Sequence, residues 1–407
     1  MSVTTPIVTR VTKLTALEGE ARFWLVHPAD ALFDIAAFNA AEGVTYLPEP
    51  PPHPNGVALD DEVDPALLLV DDLLREAQTL SIWRGESYEH CAASEVQAGQ
   101  PVQACVALPG ASGSDDLQQI HRAVTTFTER RIEKRLDETL DIPPLPEAAT
   151  RIVALQSDPN YDLKDLVQIV ETDPSIAAKV VSWANSAFYA PDPPARSLDD
   201  AIMRVLGFDL VMNLALGLVL SGTLRLPESA VRGAPPFWLK SVFTAAAMEA
   251  IGSRLPADVG PSAGSCYLTG LLAHFGTLVV GHVFPPQYEA ICRLEEANPH
   301  LPTNVIDEHV LELSREVIAS ALLEQWDLPN EIVTAVRHQH TTGYTGQHAA
   351  WVQLLQLANE MMGSDAVIDQ QRLNAASVGL AEEDLEAVVE LLSDSRDELE
   401  GLARAVA

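Results

Sequence analysis

Residues 142–189 read IPPLPEAATRIVALQSDPNYDLKDLVQIVETDPSIAAKVVSWANSAFY, and this stretch decides the fold because three helix starts follow in close succession. Pro146 begins the first helix. Asp162 is placed to cap the second, because its side-chain oxygen can accept from free backbone amides. Asp173 and Pro174 cap and start the third, since proline is favoured at the first helical position. The spacing predicts short helices with short connections that pack at steep angles in a compact domain.

The third predicted helix has a core face and a polar end. Val180, Val181 and Ala184 are predicted to lie on the core face. Asn185 and Ser186 follow near the helix end, where their side chains can bind freed carbonyls or a neighbouring loop. We therefore interpret this segment chiefly as scaffold.

The helical pattern extends on both sides of this stretch. A long amphipathic helix is predicted from Asp116 to about Leu140. Ser197 is predicted to cap LDDAIMRVL, and Gly207 to end it. Further helices are predicted to begin near residues 236, 263, 286, 314, 329, 348 and 382.

The N-terminal part of the chain has a different pattern. TLSIW (79–83) and VQACVAL (102–108) have the short apolar character of strands. PADALFDIAAFNA (28–40) is predicted to be helical, and Asp64-Pro65 is predicted to start another helix. Residues 1–110 are therefore expected to form a small α+β domain.

The fold class expected is mainly α, with a compact multi-helix domain preceded by the small α+β domain. A polar linker at 111–116 is predicted to separate the small domain from a helical domain at 117–365. Residues 366–407 are predicted to form a C-terminal helical extension.

Composition narrows the classes of function. Among the 407 residues, 25 Lys and Arg against 58 Asp and Glu give a formal net charge of −33. An acidic surface repels nucleic-acid phosphates and anionic lipids, so neither nucleic acid nor a membrane is expected as a partner. The four cysteines form no CxxC pair, which argues against a zinc knuckle. We find no secretory signal and expect no transmembrane helix, which predicts a cytoplasmic protein.

The opening stretch closely resembles the start of HDOD domains. The resemblance continues through RSLDDAIMRVLGFDLVMNLALGLVL (196–220) and covers roughly residues 115–365. The agreeing features are Pro144-Leu145-Pro146, Asp173-Pro174, Asn185-Ser186-Ala187, Ala201-Ile202 and Leu206-Gly207. It implies a role in bacterial signal transduction.

HDOD domains are related to HD-type metal phosphohydrolases, which hold one or two metal ions with a His-Asp pair and further histidines. The resemblance aligns those ligand positions with Lys240, Ala273, His274, Arg315, Gln339 and His340. Alanine has no donor atom, and protonated lysine and arginine cannot bind a metal ion. The carboxylate that would offset the metal charge is also replaced. No metal and no cofactor are therefore expected, because several ligands are missing.

His274, in LLAHFG (271–276), has two readings. It is either a buried neutral histidine bonded to a carbonyl or carboxylate, or part of a group that converges with Lys240, Arg315 and His340. Buried cations need partners, so the second reading requires nearby acids or a bound anion. The acids considered are Asp307, Glu308 and Glu316. His338 is assigned to a solvated turn, because side chains two residues apart on a helix point to different sides.

The function expected is a non-enzymatic regulatory protein whose HDOD scaffold binds protein partners of a signalling pathway or a small anionic ligand. The sequence leaves the oligomeric state undecided, and a homodimer is one of the alternatives. The alternative is a divergent metal-dependent phosphohydrolase that acts on a nucleotide or cyclic dinucleotide through His274, His338 and His340.

The first domain has a weaker resemblance to aminoacyl-tRNA-editing domains of the kind associated with prolyl-tRNA synthetase. WLVHPADALFDIAAFNA (24–40) is similar to a segment in which an apolar strand leads into a helix. Lys13 is the only lysine before Lys134, and the lysine that editing domains use is not placed. The resemblance implies a degenerate relic, and a small sensory or interaction domain is the alternative.

Overall fold

A computed structural model gives the fold of this chain. It describes residues 6–17, 21–51, 53, 55–59, 68–75, 77–96, 99–108, 145–156, 163–186, 188–189, 192–232, 235–255, 262–361 and 378–406. The predicted linker at 111–116 and the helix predicted at 116–140 lie outside these residues. The same holds for Asp64-Pro65, for Asp162 and for residues 366–377 of the predicted extension.

The described part of the chain begins with strands and continues with helices. The strands are β1 Ile7–Ala16, β2 Arg22–Pro28, β3 Ala31–Phe33, β4 Tyr46–Pro48, β5 Leu68–Asp71, β6 Thr79–Trp83, β7 Tyr88–Ala92, β8 Gln100–Val102 and β9 Cys105–Ala107. The helices up to residue 252 are α1 Ile35–Glu42, α2 Ala93–Val96, α3 Glu147–Gln156, α4 Leu163–Glu171, α5 Pro174–Ala184, α6 Leu198–Asp200, α7 Phe208–Ser221 and α8 Phe237–Gly252. A π-helical segment, Ala201–Leu206, follows α6 directly.

The remaining helices are α9 Ala263–Leu272, α10 Phe275–Val283, α11 Pro285–Ala297, α12 Thr303–Leu311, α13 Arg315–Gln325, α14 Asn330–His338, α15 Ala349–Glu360, α16 Glu382–Asp394 and α17 Arg396–Val406. A multi-helix domain with an N-terminal α+β region is thus observed, as predicted.

Contacts divide the chain into two compact units. The N-terminal unit contains Met1–Arg131, Glu228–Ala234 and Pro286–Ser314. The helical unit contains Ile132–Pro227, Pro235–Pro285 and Arg315–Ala407. The two helices α11 and α12, which lie within the range predicted as one helical domain, thus group with the N-terminal sheet.

The N-terminal unit is built on a mixed sheet whose strand order is β7-β6-β1-β2-β5-β8, with β4 beside β1. β1 pairs antiparallel with β2 and parallel with β6. Successive side chains of a strand point to opposite faces. One face therefore buries Leu14 and Leu25, while the other buries Val11 and Val26.

The prediction of one helix over residues 28–40 is wrong in its first half. Ala31–Phe33 is a strand that pairs with β9, and α1 begins only at Ile35. Asp34 caps α1 by accepting from the amide of Ala37. Pairing with β9, which lies about seventy residues further along the chain, holds this segment as a strand. A tertiary contact therefore overrides the local helical pattern.

The two predicted strands of the N-terminal region have different outcomes. TLSIW is confirmed as β6. VQACVAL contributes instead to two strands, β8 and β9. The break is explained by Asp71, which is 1% exposed and accepts from the amides of Ala104 and Cys105 at 2.8 Å each.

Most predicted helix boundaries in the helical unit are confirmed. Ser197 Oγ accepts from the amide of Asp200 at 3.1 Å, and Gly207 ends the following segment with φ +82°. Asn185 binds a neighbouring loop as predicted, since its amide donates to the carbonyl of Ala195 and accepts from the amide of Ala195. Helix α12 was missed, because Asn304 to Glu312 reads as a polar surface segment.

An apolar stretch in the helical unit, Gly264–Val283, is long and apolar enough to cross a membrane by length and composition. The sequence alone led us to expect no such stretch. The most apolar 18 residues of this stretch are 78% buried. Buried core helices of globular proteins can be equally long and apolar. The stretch is also interrupted, because α9 ends at Leu272 and α10 begins at Phe275.

We expect Asn298→Ala to destabilise the N-terminal unit by about 2 kcal/mol. Asn298 is fully buried, and its amide group binds both the N–H and the carbonyl of Phe33, at 2.8 and 2.9 Å. Alanine leaves both backbone groups without partners in a dry core. Urea denaturation of the full chain measures the loss.

Asn39→Ala is the matched control for this prediction. Asn39 makes the same pair of bonds to the backbone of Tyr46 but is only part-buried. Water can replace those bonds, so a loss of about 1 kcal/mol is expected. Equal losses in the two variants would contradict the argument from burial.

Glu249, on α8, is a buried acid of the helical unit. Burial raises the pKa of Glu249 to about 7, against the opposing effect of a hydrogen bond from Tyr189 at 2.5 Å. Because this pKa exceeds the usual 4.5, the ionised form costs stability. The cost is absent at acid pH, grows as pH rises above 4.5, and is complete above about 7.

Glu249→Gln should therefore stabilise the protein by about 2 kcal/mol at pH 8 and change its stability little at pH 4.5. Glutamine keeps the shape of the side chain and removes the buried charge. Thermal unfolding at the two pH values measures the difference, and Glu386→Gln, at an exposed position of α16, is the control. A stabilisation that is the same at both pH values would contradict the assignment.

Candidate functional site

The candidate residues of the helical unit lie at four helix ends. Lys240 is in the first turn of α8, and His274 lies between α9 and α10. Arg315 is the first residue of α13, and His340 lies two residues beyond the end of α14. Sequence-distant positions are brought together because these helices pack against one another.

The LLAHFG stretch forms a tight break between two helices. His274 has φ −98° and ψ 10°, which lies outside the helical conformation. Gly276, in the first turn of α10, lies against the start of α13. A Cβ atom on Gly276 would come within 2.4 Å of the carbonyl oxygen of Arg315. Only glycine therefore permits this approach of backbone to backbone.

His274 is held as a neutral imidazole. Its Nε2 atom lies 3.2 Å from the hydroxyl oxygen of Thr244 on α8. Burial, together with the positive charges of Lys240 and Arg315, lowers the pKa of His274 to about 3. Glu316 acts in the opposite direction. The imidazole is thus uncharged at physiological pH.

Glu316 supplies the negative charge of the site. It is 5% exposed, and its Oε1 atom lies 3.4 Å from Nε2 of His340. Burial would raise the pKa of Glu316, but the hydrogen bond from His340 and the charge of Arg315 hold it below the usual value. We call Lys240, His274, Arg315, Glu316 and His340 the Glu316 cluster.

Of the three acids considered as partners, Glu316 is the one whose charge acts on His274. Asp307 and Glu308 lie on α12.

Gln339 joins the neighbouring backbone to the site. It is 3% exposed, and its Nε2 atom donates to the carbonyl of Ala273 at 2.8 Å. Asn359 on α15 donates to the side-chain oxygen of Gln339 at 2.9 Å. The resemblance aligns both Gln339 and Ala273 with metal-binding histidines. In this chain the two residues are joined by a hydrogen bond instead.

His338 faces a different environment. Its ring stacks on that of Tyr344, with centroids 4.4 Å apart and planes at 23°. Thr341 Oγ1 lies 3.4 Å from its Nδ1 atom.

The sequence analysis did not identify Thr244 and Asn359 as residues of the site, because a single threonine or asparagine in an apolar helix gives no signal of its partner.

The residues present do not fit a divalent metal ion. Ala273 offers no donor atom, and Lys240 and Arg315 bring positive charge to the place where a metal ion would add more. Among the described residues, no group of three or more His, Cys, Asp or Glu side chains is placed to hold a metal ion.

The fold and the four helix ends define a helical domain of the kind that the sequence resemblance indicated. Residues 142–342 match the profile of the HDOD domain. The chain therefore contains an HDOD domain. This match does not extend to residues 1–110, so the resemblance to editing domains stays a prediction.

Solved structures extend the comparison. The chain is 29% identical to a "Putative signal transduction protein" from Marinobacter aquaeolei VT8, over 100% of this chain and 95% of that one, with a TM-score of 0.79. An HDOD domain protein with unknown function from Geobacter sulfurreducens shares the fold, at 20% identity over 69% of this chain and 99% of that one, with a TM-score of 0.57.

One curated relative is an uncharacterised protein from Treponema pallidum (strain Nichols), 26% identical over 219 residues. The match spans 53% of this chain and 40% of that protein.

Proposed function

We propose that this chain is a non-catalytic regulatory protein of bacterial signal transduction, whose HDOD domain binds protein partners or a small anion instead of hydrolysing phosphate esters. The Glu316 cluster supports the proposal, because Arg315 and His340 lie beside one buried carboxylate and the charges of Lys240 and Arg315 act on a neutral His274. Fixed side-chain charges thus stand at positions that the resemblance aligns with metal ligands. The likeness to a protein linked with signal transduction also supports it.

Metal analysis and a hydrolysis assay test the proposal. The purified chain, expressed with added manganese and iron, should contain far less than one metal ion per molecule. It should also show no turnover of a cyclic dinucleotide above the blank. Stoichiometric metal together with turnover would overturn the proposal and establish the divergent phosphohydrolase instead.

A variant with the aligned ligands restored serves as the positive control. It combines Lys240→His, Ala273→His, His274→Asp, Arg315→His and Gln339→His, and circular dichroism checks that it folds. Histidines and a carboxylate in this arrangement are suitable donors for divalent metals. Metal retention by this variant alone would show that the side chains at these positions decide metal binding.

Lys240→Met combined with Arg315→Met tests the charge network itself. Methionine keeps much of the length and apolar character of both side chains and removes both cations. Loss of stability is expected, because the buried carboxylate of Glu316 loses positive neighbours. Unchanged stability together with unchanged binding of inorganic phosphate would overturn both the salt-bridge and the anion-binding role of the cluster.

A further inference from the structure

A buried acid that does not belong to the Glu316 cluster lies in the last turn of α8. Glu249 is 9% exposed, and its carboxyl group accepts a hydrogen bond from the hydroxyl of Tyr189 at 2.5 Å. Tyr189 follows the end of α5 and is half-buried. A side chain in the core of the helical unit is thus joined to a connecting segment near the surface.

The segment that carries Tyr189 is joined at its two ends. The side chain of Asn185 donates to the carbonyl of Ala195 at 2.8 Å and accepts from the amide of Ala195 at 2.7 Å. Residues 192–194 are exposed. The hydrogen bond from Tyr189 to Glu249 therefore docks a surface segment on α8. We call this the Tyr189 segment, and its described residues are 185–186, 188–189 and 192–195.

The charge of Glu249 acts on three other titratable groups of the described chain, which are Tyr189 and, on α9, Cys266 and Tyr267. Burial, together with that charge, raises the pKa of both tyrosines well above 10.0 and that of Cys266 to about 12, so all three keep their protons near neutral pH. The described acids and bases of α15, α16 and α17, which also pack against α8, are not among the causes that shift the pKa of Glu249. Within the described residues, the ionised carboxylate therefore faces hydroxyl and thiol groups in place of a cation.

Ionisation of Glu249 is unfavourable while its side chain stays buried. Burial raises the pKa of Glu249 to about 7, and the opposing hydrogen bond from Tyr189 has the smaller effect. A carboxylate without a charged partner is much more stable in water than in an apolar interior. Above about pH 7, the free energy of the folded protein therefore falls if water can reach Glu249.

Movement of α8 is not an easy way to bring water to this carboxylate. Residues 244–252 of α8 are buried. A Cβ atom on Gly270 of α9 would come within 2.5 Å of the carbonyl oxygen of Thr244, so the backbones of the two helices are in close contact. Such close packing resists displacement, so α8 and α9 are fixed against each other.

The Tyr189 segment is the more movable side of the contact. It lies at the surface, where local opening costs less free energy than it does in the core. Two hydroxyl oxygens, Ser186 Oγ in the segment and Tyr267 Oη beside Tyr189, are buried without a hydrogen-bond partner among the described residues. Outward movement of the segment would bring water to both hydroxyls as well as to Glu249.

We propose that Tyr189 and Glu249 form a pH-sensitive latch, in which loss of the Glu249 proton to water releases the Tyr189 segment from α8 and return of the proton docks it again. The hydrogen bonds that join the two ends of the segment stay in place. Release exposes the ring of Phe188, which packs edge to face against that of Tyr189 with centroids 4.9 Å apart. The latch thus presents apolar surface above neutral pH, and it does not depend on the function proposed for the Glu316 cluster.

Amide hydrogen exchange of the full chain at pH 6 and at pH 8 tests the latch. The amide of Tyr189 bonds to the carbonyl of Ser186 in the docked segment. Its exchange, corrected for the intrinsic effect of pH, should be about tenfold faster at pH 8, because ionisation of the carboxyl group favours release. The amide of Leu271, in the core of α9, reports global unfolding and should stay far more protected at both pH values. No pH dependence at Tyr189, or equal protection of the two amides, would overturn the proposal.

Three variants identify the groups that form the latch. Glu249→Gln should abolish the pH dependence of exchange at Tyr189, whereas the control Glu386→Gln, at an exposed position of α16, should keep it. Tyr189→Phe removes only the hydroxyl. It should speed exchange at position 189 more at pH 8 than at pH 6, because a charged acceptor makes the stronger hydrogen bond. Persistence of the tenfold change in Glu249→Gln, or an equal effect of Tyr189→Phe at both pH values, would show that these two side chains do not form the latch.

Discussion

Replacing Glu316 by glutamine is expected to destabilise the helical unit by about 3 kcal/mol. The carboxylate is 5% exposed and lies beside Arg315 and His340. Its removal takes away the negative charge that lies beside Arg315 and His340. The loss should fall at the lower end for buried ion pairs, because the side chain of His340 is 41% exposed and is screened by water.

The effect of Glu316→Gln should depend on pH with a definite sign. The pKa of Glu316 lies below its usual value of 4.5, so the carboxylate stabilises the fold above pH 4.5. This contribution is lost as pH falls through the lowered pKa of the folded protein. Urea denaturation at pH 7 and at pH 3.5 should therefore give a larger difference between wild type and variant at pH 7.

Glu324→Gln is the matched control, since Glu324 lies on the same helix α13 but is exposed. Its effect should stay within about 0.5 kcal/mol. A loss in Glu316→Gln no larger than that of Glu324→Gln would mean that the cluster contributes nothing to stability.

Gly276→Ala is also expected to cost about 3 kcal/mol, by a steric mechanism. The added Cβ would lie 2.4 Å from the carbonyl oxygen and 2.7 Å from the carbonyl carbon of Arg315. Because both are backbone atoms, the clash can be relieved only by separating α10 from α13. That separation would also move Arg315 and Glu316 away from His274, so a single methyl group should disturb the packing and the charge cluster together.

Gly401→Ala is the control for this variant. Gly401 is exposed on α17, and no atom lies within 4 Å of its added Cβ. Alanine should stabilise that helix by up to about 1 kcal/mol, because glycine loses more backbone freedom on folding. Thermal unfolding of both variants measures the two effects, and a stable Gly276→Ala protein would contradict the close approach of α10 and α13.

Much of the helical unit follows from local signals in the sequence. Ser197 and Gly207 delimit their segment as predicted, since a cap and a left-handed glycine act through their immediate neighbours. The resemblance to HDOD domains also placed the candidate positions, and the match over 142–342 confirms that domain. The sequence alone was therefore enough to name the candidate residues Lys240, His274, Arg315 and His340.

The partners of those side chains were decided by tertiary structure. Nothing local connects Gln339 with Ala273, which lies 66 residues away, yet they form a buried hydrogen bond. Thr244 and His274 meet only because α8 packs near the break after α9. The same reason applies to β3, whose strand conformation depends on pairing with β9 and on Asn298.

The sequence by itself therefore determined the helical class, the family resemblance and the replacement of metal-ligand residue types. These are properties of residue identity and short-range spacing. Only the tertiary structure decided that Glu316 lies beside Arg315 and His340, that α11 and α12 group with the sheet, and that Arg10 and His27 are buried opposite each other on neighbouring strands. Burial and charge proximity arise from contacts between distant segments, and those contacts exist only after the chain has folded.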